Sequence, residues 1–210
     1  MTERKIEKVT AFITRQTKTG HQLLLLDHPY AGIQIPAGTV EPDENPEQAV
    51  RRETFEETGL TISSPLEFLG YQETHLPNEL AIILPPATIY ARPNVTSFDW
   101  ICIRSGVQVQ VMQKTDEFSQ ITYIEHDQVP EPNFVSMQIT GWVQDQFLAK
   151  IRKRYFYRLI FEGPTKPQWE VFSDHHHFRL FWASLDQLPD IIPPQDGWLN
   201  FLDNASLDRD

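Results

Sequence analysis

From Ile6 to Thr14 the chain alternates, with Val9, Ala11 and Ile13 on one side and Thr10, Phe12 and Thr14 on the other, and Leu23 to Leu26 is an unbroken apolar run. A period of two is the mark of a strand with one buried face, and a short continuous run fits a strand buried on both. Lys18-Thr19-Gly20 between them predicts a hairpin. The pattern then changes. Asn45, Pro46 and Gln48 have the order of an N-cap, a first helical position and a capping-box partner, and Gly59 suits the position just past a helix end. A helix is therefore predicted from about Pro46 to Thr58. Period-two patterning returns at Leu66 to Thr74, at 106–114, 118–125 and 139–148, and again at Tyr155 to Phe161, Trp169 to Phe172 and Phe178 to Trp182. Strands dominate, with one well-marked helix among them.

With 210 residues, 40% of them apolar, the chain suits one or two compact domains and excludes a disordered or fibrous protein. Its 18 basic and 29 acidic side chains give a net charge of −11, which repels a phosphate backbone and argues against nucleic acid as a partner. The longest apolar stretch, Leu80 to Ala91, is broken by Pro85 and Pro86 and is too short to span a bilayer. Met1 to Val9 is charged with no apolar region behind it, so no signal peptide is expected. Cys102, the single cysteine, cannot form an internal disulfide. A soluble, cytoplasmic protein without a membrane partner is the expectation.

The charge is concentrated. Residues 38–60 hold seven acidic side chains (Glu41, Asp43, Glu44, Glu47, Glu53, Glu56, Glu57) and two basic ones, Arg51 and Arg52. On the predicted helix Glu53, Glu56 and Glu57 stand at i, i+3 and i+4, one face, with Cβ atoms roughly 5 to 6 Å apart. Such crowding destabilises a helix or raises a pKa unless a cation joins it, and a hard divalent ion takes oxygen ligands. Mg²⁺ or Mn²⁺ suits the set.

The segment Gly38 to Leu60, GTVEPDENPEQAVRRETFEETGL, resembles the Nudix box: Gly38, Glu44, Arg52, Glu53, Glu56, Glu57 and Gly59 fall on its fixed positions. Thr54 departs from it, standing where the family has an aliphatic residue. Ile33, Ile35 and Pro36-Ala37-Gly38 look like the strand and turn that precede the box. The resemblance implies an α+β fold, an α/β/α sandwich with a mixed sheet. It also implies hydrolysis of a nucleoside diphosphate linked to another moiety, with ADP-ribose-like substrates favoured by Pro77, 17 residues after Leu60. By position Glu53, Glu56 and Glu57 would be metal ligands, joined by the Gly38 carbonyl, with Glu44 and Arg52 orienting loop and helix. Glu53 is the favoured base, a later loop being the other source of one in the family.

About 80 residues separate Thr74 from the point where the Nudix-like pattern resumes, so the division expected is 1–99, an inserted β-rich module at 100–149, and 150–210. Gly141-Trp142-Val143 and the short strands around it resemble a bacterial SH3-like barrel, which would bind a peptide or cover the active-site edge; an antiparallel extension of the Nudix sheet is the plainer reading. Lys150, Arg152, Lys153, Arg154 and Arg158 form a solvated cationic run, or else Arg154 or Arg158 reaches substrate phosphates. Three successive histidines, 175–177, alternate sides on a strand and so cannot converge on one metal. Asp174 or a histidine such as His176 could replace the late acidic residue of the family, or the segment is an exposed loop. Ser184 to Leu188 resembles the short helix with which relatives close. The partner expected is a small nucleoside-diphosphate derivative, and a homodimer is compatible with the sequence. The rival reading is a non-catalytic Nudix-fold sensor or scaffold that works through the SH3-like module.

Overall fold

The computed structural model describes residues 4–129, 131–173 and 176–207. The chain begins with β1 (Lys5–Thr17), β2 (Gly20–His28), β3 (Gly32–Gln34), β4 (Ala37–Thr39) and α1 (Pro46–Thr58). It continues through β5 (Glu67–His75), β6 (Leu80–Ile83), β7 (Ala87–Tyr90), β8 (Asp99–Ile103), β9 (Gln108–Lys114), β10 (Phe118–His126), β11 (Val135–Gln144) and β12 (Leu148–Ala149). β13 (Ile151–Ile160), β14 (Gln168–Ser173), β15 (His176–Ser184) and α2 (Leu199–Leu207) complete it. Neither helix is long and apolar enough to cross a membrane.

Sheet A has the order β14-β15-β2-β1-β13-β5, with β3 on β2 and β4 on β1. It is mixed. Ile151 N–H donates to Arg4 O and Phe161 N–H to Thr14 O, ten residues further along both strands, so β1 and β13 run parallel. β5 returns antiparallel to β13: Leu76 N–H donates to Lys150 O, while Phe68 packs on Tyr157 and Tyr71 on Tyr155. One face of the sheet, through Val9, Ala11, Ile13, Leu24 and Leu26, packs against Ala49 and Val50 of α1. The alternate residues Phe12, Leu23, Leu25 and Phe156 pack on the other face against Trp198 and Leu202, at and within α2. Thr10, Phe12 and Thr14 are therefore as buried as Val9, Ala11 and Ile13. Burying each large side chain contributes about 1.5–3 kcal/mol, so both helices are held by the sheet and not by propensity.

Sheet B, order β12-β6-β9-β10-β11-β7-β8, is antiparallel in every pairing described and closes its own core around Ile83, Ile89, Ile121, Ile139 and Val143. The β-rich middle expected from the pattern is this sheet, and it includes β6 and β7. By compactness the chain forms two units: Glu73–Lys153 with the chain start through Ile6, and Glu7–Gln72 with Arg154 onward.

α1 has the bounds the caps predict. Asn45 accepts from Gln48 N–H, the Gln48 side chain accepts from Asn45 N–H, and Gly59 closes the helix at φ 71°. The closing helix is elsewhere. Residues 185–187 form a turn, and the helix is α2. Pro189 disfavours helical backbone at Leu188, leaving too few residues for a stable turn of helix.

Candidate active site

Two backbone donors of the β4 segment are fastened to α1. Ala37 N–H donates to Glu57 Oε2 at 2.9 Å, and Thr39 N–H donates to Glu53 Oε1 at 3.1 Å. Between them lies Gly38, and the absence of its side chain sets the geometry. A Cβ there would stand 1.8 Å from Glu53 Cδ and 1.9 and 2.3 Å from its two oxygens. The carboxylate of Glu53 thus occupies the space that any other residue at 38 would fill.

Arg52 ties the acidic residues together. Its Nε and Nη2 fork onto Glu44 at 3.2 and 2.6 Å, and Nη2 also donates to Thr39 O at 2.9 Å. Its Nη1 lies between two box glutamates, 3.0 Å from Glu53 Oε1 and 2.9 Å from Glu56 Oε2. Spacing alone argued that three carboxylates on one face need a cation, and a guanidinium from the same helix supplies part of that charge. Burial pushes the Glu53 carboxyl above its ordinary pKa, with Arg52 and the Thr39 N–H opposing and Glu56 adding to the rise. Glu44 moves the other way, held low chiefly by its hydrogen bonds with Arg52. Arg52 is raised by the same bonds. Side-chain exposures of 14% for Glu53 and 48% for Glu56 grade the set from an enclosed carboxylate to an open one. Thr54, the departure from the box pattern, is buried with its hydroxyl donated to Val50 O at 2.7 Å.

Gly38, Glu44, Arg52, Glu53, Glu56 and Glu57 are thus brought together. Arg154 and Arg158 are not part of that cluster: both lie on the side of β13 that also carries Phe156, the α2 face of sheet A. Arg154 donates to Val9 O and Thr10 Oγ1 and stacks 4.0 Å over Trp198. Arg158 stands 3.3 Å from Glu67. Asp174 lies outside the described residues. His176 packs 4.9 Å from His28 and 5.8 Å from Tyr30, ring centroid to centroid. His177, on the alternate side of β15, packs instead on Phe172. The grouping of His28 and Tyr30 with His176 went unnoticed in the sequence, because well over half the chain separates His176 from His28 and no local pattern links them. Among the described residues no three His, Cys, Asp or Glu side chains are grouped as a ready metal cage.

The sequence profile of the NUDIX domain family matches residues 5–140. The NAD-capped RNA hydrolase NudC of Haemophilus influenzae is 45% identical over 67 residues, 29% of this chain and 25% of that protein, so the likeness spans a quarter of the relative's length. Among solved structures, the NUDIX domain of Shewanella oneidensis NrtR complexed with ADP-ribose superposes with a TM-score of 0.50 at 12% identity, covering 97% of this chain and 90% of that one. The MutT protein of Methanosarcina mazei Go1 covers 100% and 99% with a TM-score of 0.46 at 14% identity.

Proposed function

The chain belongs to the NUDIX domain family, and from that premise we propose that it is a Mg²⁺- or Mn²⁺-dependent hydrolase that cleaves the diphosphate of a nucleoside diphosphate linked to another moiety. The observation that carries the proposal is the fit of Glu53 into the space above Gly38. A structural glutamate needs no such close approach, whereas a base or ligand must be held to a fraction of an ångström. The residues suit the metal: Glu53, Glu56, Glu57 and the Gly38 carbonyl offer only hard oxygen donors. When bound, the ion would neutralise diphosphate oxygens and lower the pKa of a nearby water. Glu53, fixed at Oε1 by Thr39 N–H and Arg52 and made more basic by burial, accepts the proton of the attacking water. Arg52 and Glu44 are positioning residues; their fork and the bond to Thr39 O hold the β4 segment against α1.

ADP-ribose and NAD, to which the names of the NrtR domain complex and NudC refer, share the nucleoside diphosphate linked to a second group. They head the list of substrates to test. The partner is a small nucleotide derivative and not a nucleic acid, in keeping with the charge of −11. The test is mass-spectrometric product analysis with ADP-ribose, NAD(H), dinucleoside polyphosphates, nucleotide sugars, dNTPs and coenzyme A, each with Mg²⁺, Mn²⁺ or EDTA. Metal-dependent cleavage between the two phosphorus atoms of one substrate is the expected result. Binding of ADP-ribose without turnover under any metal would overturn catalysis in favour of a ligand sensor.

A further inference from the structure

At the hairpin end of sheet A, on its α2 face, lies a cavity of about 620 Å³. Buried Thr14, largely buried Arg158 and buried Leu202 form its inner part, and Leu185, Leu188 and Leu199 add aliphatic wall. His21, Asp186 and Asp203, all exposed, stand at its mouth. Its volume falls in the range of small-molecule sites. It is separate from the box: Ala49 and Val50 pack α1 onto the opposite face of the sheet. Val9 is the residue of β1 paired with Gly38. Five residues further on is Thr14, roughly 17 Å along the strand.

Arg158 is the informative member. Among the described residues its Nε is the buried side-chain nitrogen or oxygen left without a hydrogen-bond partner. Glu67 Oε2 stands 3.3 Å from that nitrogen as an ion pair, but not in hydrogen-bonding alignment. That nitrogen is enclosed and faces Glu67, so it is not the atom a ligand would reach. The guanidinium carries five donors and keeps its charge. Since Arg158 lines the cavity with its side chain 17% exposed, its outer nitrogens are the donors an acceptor in the cavity would meet. Carboxylate and phosphate both fit that geometry, and the surrounding charge separates them. Against the one cation of Arg158 stand Glu67, Asp186 and Asp203, so a phosphate dianion enters a field already negative. A carboxylate that carries an ammonium group at its other end brings no net charge, and its ammonium meets Asp186 and Asp203 at the mouth. Four leucines between the two ends require an aliphatic body.

We propose that this cavity is a second binding site, independent of the box, for a small aliphatic zwitterion of amino-acid to dipeptide size, its carboxylate on Arg158 and its ammonium at Asp186 and Asp203. The test is isothermal titration of the full chain with L-leucine and leucyl-leucine. 4-Methylpentanoate, 3-methylbutylamine and inorganic phosphate serve as probes lacking one or more of the recognised features. A zwitterion should bind, with both half-ligands and phosphate at least about tenfold weaker. Arg158→Met should weaken binding by about tenfold or more, with any fall in melting temperature limited to the loss of the partly exposed pair with Glu67. Leu188→Trp, which fills the cavity and keeps Arg158, should abolish binding. Glu57→Gln should leave it unchanged. Absence of zwitterion binding up to about 10 mM, equal binding of phosphate or of 4-methylpentanoate, or retained binding in Leu188→Trp would each overturn the proposal.

Discussion

Gly38 and Glu53 form a coupled pair whose substitution effects depend on each other. Alanine at 38 would drive its Cβ into the Glu53 carboxylate, expelling it and stripping Thr39 N–H of its acceptor. Gly38→Ala should cost about 1–3 kcal/mol of stability, the usual range for overpacking. Combining it with Glu53→Ala should restore most of that stability while turnover stays absent, and a double-mutant cycle by thermal denaturation measures the coupling. Additive losses would mean the two residues do not share the space. Glu57→Gln is milder, because the amide oxygen still accepts from Ala37 N–H. Its fold should persist, with metal-free stability equal or higher as repulsion falls, while turnover should drop beyond the ~10–100-fold typical of losing a supporting group. Circular dichroism and initial rates with metal check the two halves separately. At His28, burial and neighbouring His176 push the imidazole pKa below its ordinary value, with Asp27, itself paired to Arg179, opposing weakly. The unfolded chain therefore takes up this proton first as pH falls. Stability from this site is complete above about pH 6.5 and declines as the pH drops toward the folded value. His28→Phe keeps the ring packing against Phe178 and removes the proton. Its melting temperature should fall less than that of the wild type between pH 7 and pH 5, and parallel curves would exclude His28 as a contributor.

At the scale of the element, α1 is both a core helix and the carrier of the acidic cluster, and Arg52 couples those roles through five hydrogen bonds to Glu44, Glu53, Glu56 and Thr39 O. Arg52→Met leaves Glu44 and Glu53, 15% and 14% exposed, without their cation. Because Arg52 is itself 24% exposed, the loss should be about 1–3 kcal/mol, below the cost of breaking a fully buried pair. Urea denaturation should show that Arg52→Met with Glu44→Gln recovers part of it. This helix was the most legible part of the chain, since its limits are written locally in Asn45, Pro46, Gln48 and Gly59. The faces of sheet A were less legible. Alternation separates Val9 from Phe12, but only the positions of α1 and α2 decide that both sides of β1 are buried. The same limit applies to Arg154 and Arg158: their spacing assigns them to one side of β13 and leaves open which helix that side meets. α2 itself was masked by the Ser184 to Leu188 segment, whose apolar spacing suits a helix and whose following proline forbids one.

At the scale of the whole molecule, the topology is that of a hairpin opened to admit a second sheet. β5 and β13 are antiparallel neighbours in sheet A, and Leu76 N–H donates to Lys150 O where the two strands come together. Everything between those residues belongs to sheet B or its connections, including β6 and β7, which lie before residue 100. Reading the insertion as residues 77–149, with the Gly141-Trp142-Val143 likeness to an SH3-like module still a proposal for it, makes a sharp prediction about deletion. Removing only 100–149 leaves Ile83 and Ile89, both buried in the core of sheet B, without the strands that cover them. That product should aggregate, as exposed apolar strands do. Replacing 77–149 by Asn-Gly instead restores an ordinary two-residue hairpin between β5 and β13. The shortened chain should remain monodisperse and melt cooperatively, because both helices pack on sheet A through residues the deletion does not touch. Size-exclusion chromatography and calorimetry of the two deletions side by side decide the boundary, and a molten product from the Asn-Gly chain would show that sheet B is needed for sheet A to fold.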